Sequence, residues 1–199
     1  SLNMVATDAH RLSIYKSTLD SEGDFIGIIP RKTVVELMKI LPKQDGDIEF
    51  YINTNNIVFM SKKFTFKSKL IDGNYPNYNQ VVPQGNGSKI TFNRKNMLDS
   101  LSRVSVLTSE KFKGVKLKVA SGELDISAHN PDQESAEEKL DLADSADSFD
   151  IAFNVNYLKE VLGTINEDEI SLISFGSDKS ALVESGDSNQ VLVLMPLLL

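Results

Sequence analysis

Residues 25–41, FIGIIPRKTVVELMKIL, and residues 149–165, FDIAFNVNYLKEVLGTI, superpose without a gap at an offset of 124 positions, with apolar residues coinciding at most helical sites. Each reads as a β-rich apolar run leading into an amphipathic helix. Upstream, LNMVATDAH (2–10) lies over LDISAHNPD (124–132) at an offset of 122, and downstream GDIEFYI (46–52) matches DEISLIS (168–174). The order strand, strand, helix, strands is kept in both, so the chain reads as two copies of one domain. The copies are unequal. The second is preceded by ITFNRKNMLDSLSRVSVLTSEKFKGVKLKVASG (90–122), a strand, helix and strand with no counterpart before Ser1. This predicts a shortened first copy in a fragment of something longer.

Three helices follow from spacing. In PRKTVVELMKILP (30–42), Pro30 suits the first turn, Val34, Leu37, Met38 and Leu41 form the apolar stripe, and Pro42 stops the run; Arg31, Lys32 and Lys39 lie opposite. In NRKNMLDSLSRVSVL (93–107), Asn93 caps, Met97, Leu98, Leu101, Val104 and Leu107 make the stripe, and Arg94, Lys95 and Arg103 lie off it. In NVNYLKEVLGTI (154–165), Asn154 caps, the stripe is Tyr157, Leu158, Val161, Leu162 and Ile165, and the helix ends near Gly163. Most of the rest alternates or is β-rich, broken by turn residues such as Asp45-Gly46, Asn55-Asn56 and Ser121-Gly122. The fold class is α+β with more strand than helix.

Composition bounds the function. At 199 residues and 41% hydrophobic, the chain can bury one or two cores. A net charge of -7 argues against a surface that is basic all over, yet leaves room for a segregated basic face. Residues 123–150 carry ten acids and one Lys, a strongly acidic stretch. With no cysteine, disulfides, thiolate zinc sites and cysteine nucleophiles are excluded, and a reducing cytosol is the natural compartment. No apolar run reaches the roughly 18 residues that span a bilayer, and no signal-peptide pattern opens the chain.

The segment VATDAHRLSIY (5–15) places Asp8, His10 and Arg11 within four positions. A D-x-H spacing can hold a metal or orient a general base, so a metal-dependent hydrolase using Asp8 and His10 is one reading. Against it, the one other histidine is His129, in the repeat-equivalent neighbourhood, and no nucleophile elbow, phosphate loop or H-E-x-x-H is present. A factor that grips DNA directly is a second alternative.

Seven segments, in order and spacing, carry a family resemblance. VATDAHRLS, PRKTVVELMKIL, SKLIDGNYPNY with VVP after it, LTSEKFKGVKL, NPDQESAEE, FNVNYLKEVL and the closing VLMPL together resemble the bacterial DNA polymerase sliding clamps, the β subunits of the replicative polymerase. The resemblance covers the whole chain, from the middle of that family's second domain to its C-terminus. It implies a DNA clamp fold of repeated domains, with antiparallel sheets outside and helices on the inner face. Here a partial middle domain would occupy 1–84 and a complete C-terminal domain 85–199.

The function implied is a processivity factor of DNA replication in the bacterial cytoplasm, associated with the nucleoid. It is not an enzyme and uses no cofactor or metal. Two three-domain protomers close a ring around duplex DNA and tether polymerase, clamp loader and repair proteins through linear motifs. The full-length protein is a homodimer, whereas the fragment is expected to be monomeric and not to touch membranes. The motif pocket, between the second and third domains, maps to Thr7, Ala9, His10, Arg11, Leu12, Pro76, Gln80, Val81, Ser180, Val193, Met195, Pro196 and Leu197. DNA-facing positions are Arg31, Lys32, Lys39, Arg94, Lys95 and Arg103, and the dimer edge includes Val106 and Leu107. The chain departs from the family pattern at Leu198 and Gln80, where Arg is common, and at Ala9, where Gly is common, so its pocket is less basic than usual.

Overall fold

Alternating and helical stretches of the sequence become strands and helices in the computed structural model, which describes residues 1–19, 23–43, 46–108, 113–142 and 147–198. In chain order the elements are β1 (Leu2–Thr7), β2 (Arg11–Ser17), α1 (Arg31–Ile40), β3 (Glu49–Ile52), β4 (Asn56–Met60), β5 (Thr65–Lys69), β6 (Ser88–Asn93) and α2 (Arg94–Val104). They continue with β7 (Gly114–Ala120), β8 (Glu123–His129), β9 (Ser135–Asp141), β10 (Phe149–Asn154), α3 (Val155–Gly163), β11 (Glu169–Ser174), β12 (Ala181–Glu184) and β13 (Gln190–Leu194). Residues 109–112 of the LTSEKFKGVKL segment, 143–146 of the acidic stretch and Asp45 of the Asp45-Gly46 turn lie outside the described residues.

The helix starts follow the side-chain chemistry. Asn93 Oδ1 accepts from the Asn96 N–H at 3.0 Å, and Asn154 Oδ1 accepts from the Asn156 N–H at 3.0 Å, each satisfying a donor the first turn leaves unpaired. Pro42 does not end the first helix abruptly; Leu41–Lys43 continue it as a 3-10 turn. The turn between β7 and β8 has positive φ at both central residues, Ser121 at 54° and Gly122 at 82°, the backbone twist a two-residue hairpin needs.

Packing divides the chain into Ser1–Leu19 with Tyr78–Leu199, and Asp20–Asn77. This division differs from the sequence boundary expected near 84, because β1 and β2 hydrogen-bond into the sheet of the first unit. That unit holds a six-stranded sheet in the order β1-β2-β13-β12-β11-β6 and a four-stranded sheet in the order β10-β7-β8-β9, with antiparallel pairing at every junction. Inward residues of both sheets, among them Ile90, Leu172 and Leu192 on one and Leu117, Ile126 and Phe153 on the other, form one core with Met97, Leu101 and Val104 of α2 and Leu158 and Leu162 of α3. Burial of each such side chain stabilises by about 1.5–3 kcal/mol before entropy is counted.

The second unit is smaller: α1 lies with a three-stranded antiparallel sheet, β3-β4-β5, and Thr33 on α1 shares a 2.6 Å hydroxyl contact with Ser68 on β5. Here the expected stripe is largely uncovered. Leu37 is buried, but Val34 is 42% and Met38 68% exposed. The equivalent residues of α3, Leu158 and Leu162, are fully buried because α2 packs beside that helix. Among the described residues of the smaller unit no second helix does the same. For the same reason residues 25–29, which correspond to the start of β10, form a single bridge from Ile28 to Ile71 and no strand; β10 has β7 alongside it, in register from Phe149 with Val119 to Asn154 with Gly114.

Candidate functional site

The hairpin joining β1 to β2 is built by its own side chains. Asp8 Oδ1 accepts from the His10 and Arg11 N–H groups, both at 3.1 Å, and Thr7 Oγ1 donates to the Arg11 carbonyl at 2.8 Å. Ala9 takes φ 72°, a left-handed conformation that strains a residue with a Cβ. β2 then runs beside β13, with Leu12 opposite Val193 and Arg11 opposite Leu194, and the Met195 N–H donates to the His10 carbonyl at 2.9 Å. The C-terminal segment is thereby laid against the hairpin loop.

These contacts leave an apolar pocket, open to solvent and lined by Thr7, Ala9, Arg11, Leu12, Val81, Val193 and Met195. Leu12 and Val193 are buried and form a small satellite core with Ile14, against which Tyr78, Val82 and Leu182 pack. Val81 is fixed from the opposite side: its carbonyl accepts from Ser180 Oγ at 3.0 Å. Gln80 is exposed at the end of the 3-10 turn before Val81. The Leu197 N–H donates to the Ala152 carbonyl at 2.7 Å, anchoring the segment that carries Pro196. Pro76 belongs to the other unit.

Seven of the residues singled out by sequence thus surround one cavity. His10 does not line it; its ring stacks on Tyr157 of α3, centroids 5.4 Å apart. Sequence reasoning missed two partners on that helix. Glu160 Oε2 accepts from Arg11 Nη1 at 2.7 Å, and the Arg11 guanidinium carbon lies 4.8 Å from the Tyr157 ring centroid. Asp8 Oδ2 accepts from Arg11 Nε at 3.1 Å, so the arginine is held by two carboxylates and a ring. Partial burial would push the Asp8 carboxyl up, but the donors from His10 and Arg11 outweigh it and hold it below its ordinary value of 3.8. Burial likewise works against the Arg11 charge, and Glu160 and Asp8 more than restore it.

Both Asp8 oxygens are engaged with the hairpin and Arg11, and no cluster of three or more metal-ligating side chains occurs among the described residues. The basic candidates divide into two groups. Lys39 pairs with Glu36 at 2.9 Å, Lys95 with Asp99 at 2.8 Å and Arg103 with Glu138 at 2.7 Å, while Arg94 Nε donates to the Glu167 carbonyl. Arg31 and Lys32 are exposed and have no ion pair among the described residues. Val106 is 79% exposed, and Leu107 is half-buried. No helix among the described residues is long and apolar enough to cross a membrane.

Comparison with known proteins gives a consistent answer. Residues 1–77 match the model of the DNA polymerase III beta subunit, central domain, and residues 79–198 that of its C-terminal domain. The chain is 36% identical to the beta sliding clamps of Pseudomonas aeruginosa and Escherichia coli, in each case over 98% of this chain and 54% of the relative. It therefore spans about half the length of these relatives. Among solved structures, a DnaN sliding clamp (DNA polymerase III subunit beta) from Pseudomonas aeruginosa bound to griselimycin superposes with a TM-score of 0.92 at 36% identity, covering 98% of this chain and 54% of that one. The corresponding clamp from Bartonella birtlesii bound to griselimycin superposes with a TM-score of 0.95 at 33% identity, over 99% and 54%.

Proposed function

The chain belongs to the DNA polymerase III beta-subunit family, and from that membership we propose that it acts as part of a sliding clamp, a ring that encircles duplex DNA and tethers polymerase, clamp loader and repair proteins. On this reading it is a processivity factor, not an enzyme. It works without a cofactor in the bacterial cytoplasm, in association with the nucleoid. Its sequence domains are a partial middle domain, 1–84, and a C-terminal domain, 85–199.

The observation that carries the proposal is the pocket beside the β1–β2 hairpin. A concave apolar floor of Leu12 and Val193, with Val81 and Met195 at its sides and a polar rim at Thr7 and Arg11, suits an extended peptide anchored by large apolar side chains. Ser180 acts here by holding Val81 in place. A direct DNA-gripping role finds less support, since three of the six basic candidates are already paired with carboxylates.

Assembly follows from the internal repeat. β2 corresponds to β9, and β2 is bonded along its outer edge to β13, whereas β9 ends its own sheet. The open edge of β9, next to which α2 leads into Val106 and Leu107, is the dimer edge in this reading.

A peptide of the form Gln-Leu-x-Leu-Phe should bind with a Kd on the order of micromolar, because ordering a flexible chain offsets much of the burial of its Leu and Phe. Met195→Glu places an unpaired charge at the pocket wall and should abolish the calorimetric signal while leaving the circular dichroism of the fold unchanged. Binding that survives Met195→Glu, or no binding by the parent chain at hundreds of micromolar (roughly a hundredfold above that Kd), would overturn the assignment.

A further inference from the structure

We propose that Asn86 is a site of covalent self-modification, at which the backbone nitrogen of Gly87 closes on the Asn86 side-chain amide and converts it to aspartate and isoaspartate. Asn86 is the one asparagine of the chain that is followed by glycine. A residue without a Cβ leaves its nitrogen open to approach and its backbone free to turn. Both reacting groups are unengaged: Asn86 is exposed, and neither its side-chain amide nor the Gly87 N–H forms a hydrogen bond among the described residues. Several other asparagines are held. Asn53, Asn93 and Asn154 use Oδ1 to accept from backbone N–H groups of a turn or a helix start, so turning the amide toward the next nitrogen would break those bonds. On the other side of Asn86, Gly85 takes φ 100° with open space where a Cβ would stand, so the preceding residue does not crowd the ring that forms.

Water is the only co-reactant. The Gly87 nitrogen gives its proton to solvent base and attacks Asn86 Cγ; the new N–Cγ bond closes a cyclic imide, the Cγ–Nδ2 bond breaks, and the amide nitrogen takes up a proton and leaves as ammonia. Solvent water then opens the imide at either carbonyl. Opening at Cγ gives aspartate with the main chain on its former course, whereas opening at the main-chain carbonyl leaves Gly87 attached through Cγ, an isoaspartate with one extra carbon in the main chain. Nothing is oxidised or reduced, and both products carry a carboxylate where a neutral amide stood. Packing requires the glycine that makes the reaction easy. A Cβ on residue 87 would lie 2.6 Å from Ile173 Cγ2 and 2.7 Å from the Ser174 carbonyl oxygen, on the strand that β6 joins one residue later with Ser88 opposite Ser174. The same closeness pins residue 87, so the extra carbon of isoaspartate is taken up on the loop side, between Val82 of the satellite core and Gly87.

The test uses the whole 199-residue chain, kept folded in mildly alkaline buffer at physiological temperature and sampled over time by proteolysis and mass spectrometry. The peptide containing residue 86 should gain the mass of an amide exchanged for an acid and split into two chromatographic isomers, ahead of every other asparagine-containing peptide. Its conversion should quicken as pH is raised, because the attacking nitrogen has to lose its proton. In Asn86→Gln, whose side chain is one carbon longer and closes a less favourable ring, the converted pair should be missing while the circular dichroism of the fold is kept. Conversion at residue 86 in the urea-unfolded chain with none in the folded chain would show that the packing of Gly87 holds its nitrogen away from Cγ, and would overturn the proposal. Faster conversion at another asparagine of the folded chain would overturn it as well.

Discussion

At the scale of single residues, the hairpin Thr7–Leu12 shows how a short polar motif can look catalytic and serve geometry. Asp8, His10 and Arg11 are close in sequence because one carboxylate must satisfy two loop N–H groups and the arginine that follows them. The Asp8 carboxyl is held below 3.8 when folded, so its stabilising contribution is fully present above that pH and is lost as pH falls through the lower folded value. Urea midpoints followed from neutral pH to about pH 2 should therefore drop more steeply below 3.8 in the parent chain than in Asp8→Asn. Parallel curves would show that the carboxylate contributes nothing to stability. Ala9 offers a second test. Its φ of 72° carries a Cβ penalty of about 1–2 kcal/mol, whereas glycine adds about 0.4–1 kcal/mol of unfolded-state entropy to be lost. Ala9→Gly should thus be neutral to stabilising by about 1 kcal/mol, read as a higher urea midpoint.

Among secondary-structure elements, what could be read from the sequence depended on whether the deciding partner was local. The helix starts at Asn93 and Asn154 were legible because a cap bonds residues two or three positions away. The hairpins were legible because alternation and the Ser121-Gly122 turn are local too. The pocket positions Leu12, Val81, Val193 and Met195 could be placed through family resemblance, since residues so far apart carry no joint periodic signal. Glu160 and Tyr157 were not legible as partners of Arg11: on α3 they read as one polar position and one stripe position, and only the tertiary fold brings them to the hairpin. α1 marks the same limit from the other side, for its stripe matches that of α3 and yet Met38 is exposed where Leu162 is buried. Met38→Lys should accordingly change the stability of this chain by no more than about 0.5 kcal/mol. Leu101→Ala, in the closed core of α2, should cost about 2–5 kcal/mol. Comparable losses in the two variants, measured by urea unfolding, would mean that α1 is covered in solution.

For the whole molecule, 28 acidic against 21 basic residues give a net charge of -7, so the proposed attraction to DNA would have to come from particular places. A clamp that slides needs contacts to phosphate and none to base edges, because base contacts would hold it at one sequence. The pairing of Lys39, Lys95 and Arg103 with carboxylates weakens three of the six candidate contacts, and the carbonyl bond of Arg94 turns part of a fourth inward. Arg31 and Lys32 on α1 remain as exposed cations with no ion pair among the described residues. The 199 residues alone should therefore bind a labelled linear duplex weakly and without sequence preference, losing most of the signal by physiological salt. In the double variant Arg31→Ala with Lys32→Ala, the slope of log K against log salt should fall by about 2, one unit for each phosphate contact removed. Tight binding that discriminates between duplex sequences at physiological salt would point to a factor that grips DNA directly. An unchanged slope would locate the phosphate contacts elsewhere, on side chains that would first have to exchange a carboxylate for a phosphate.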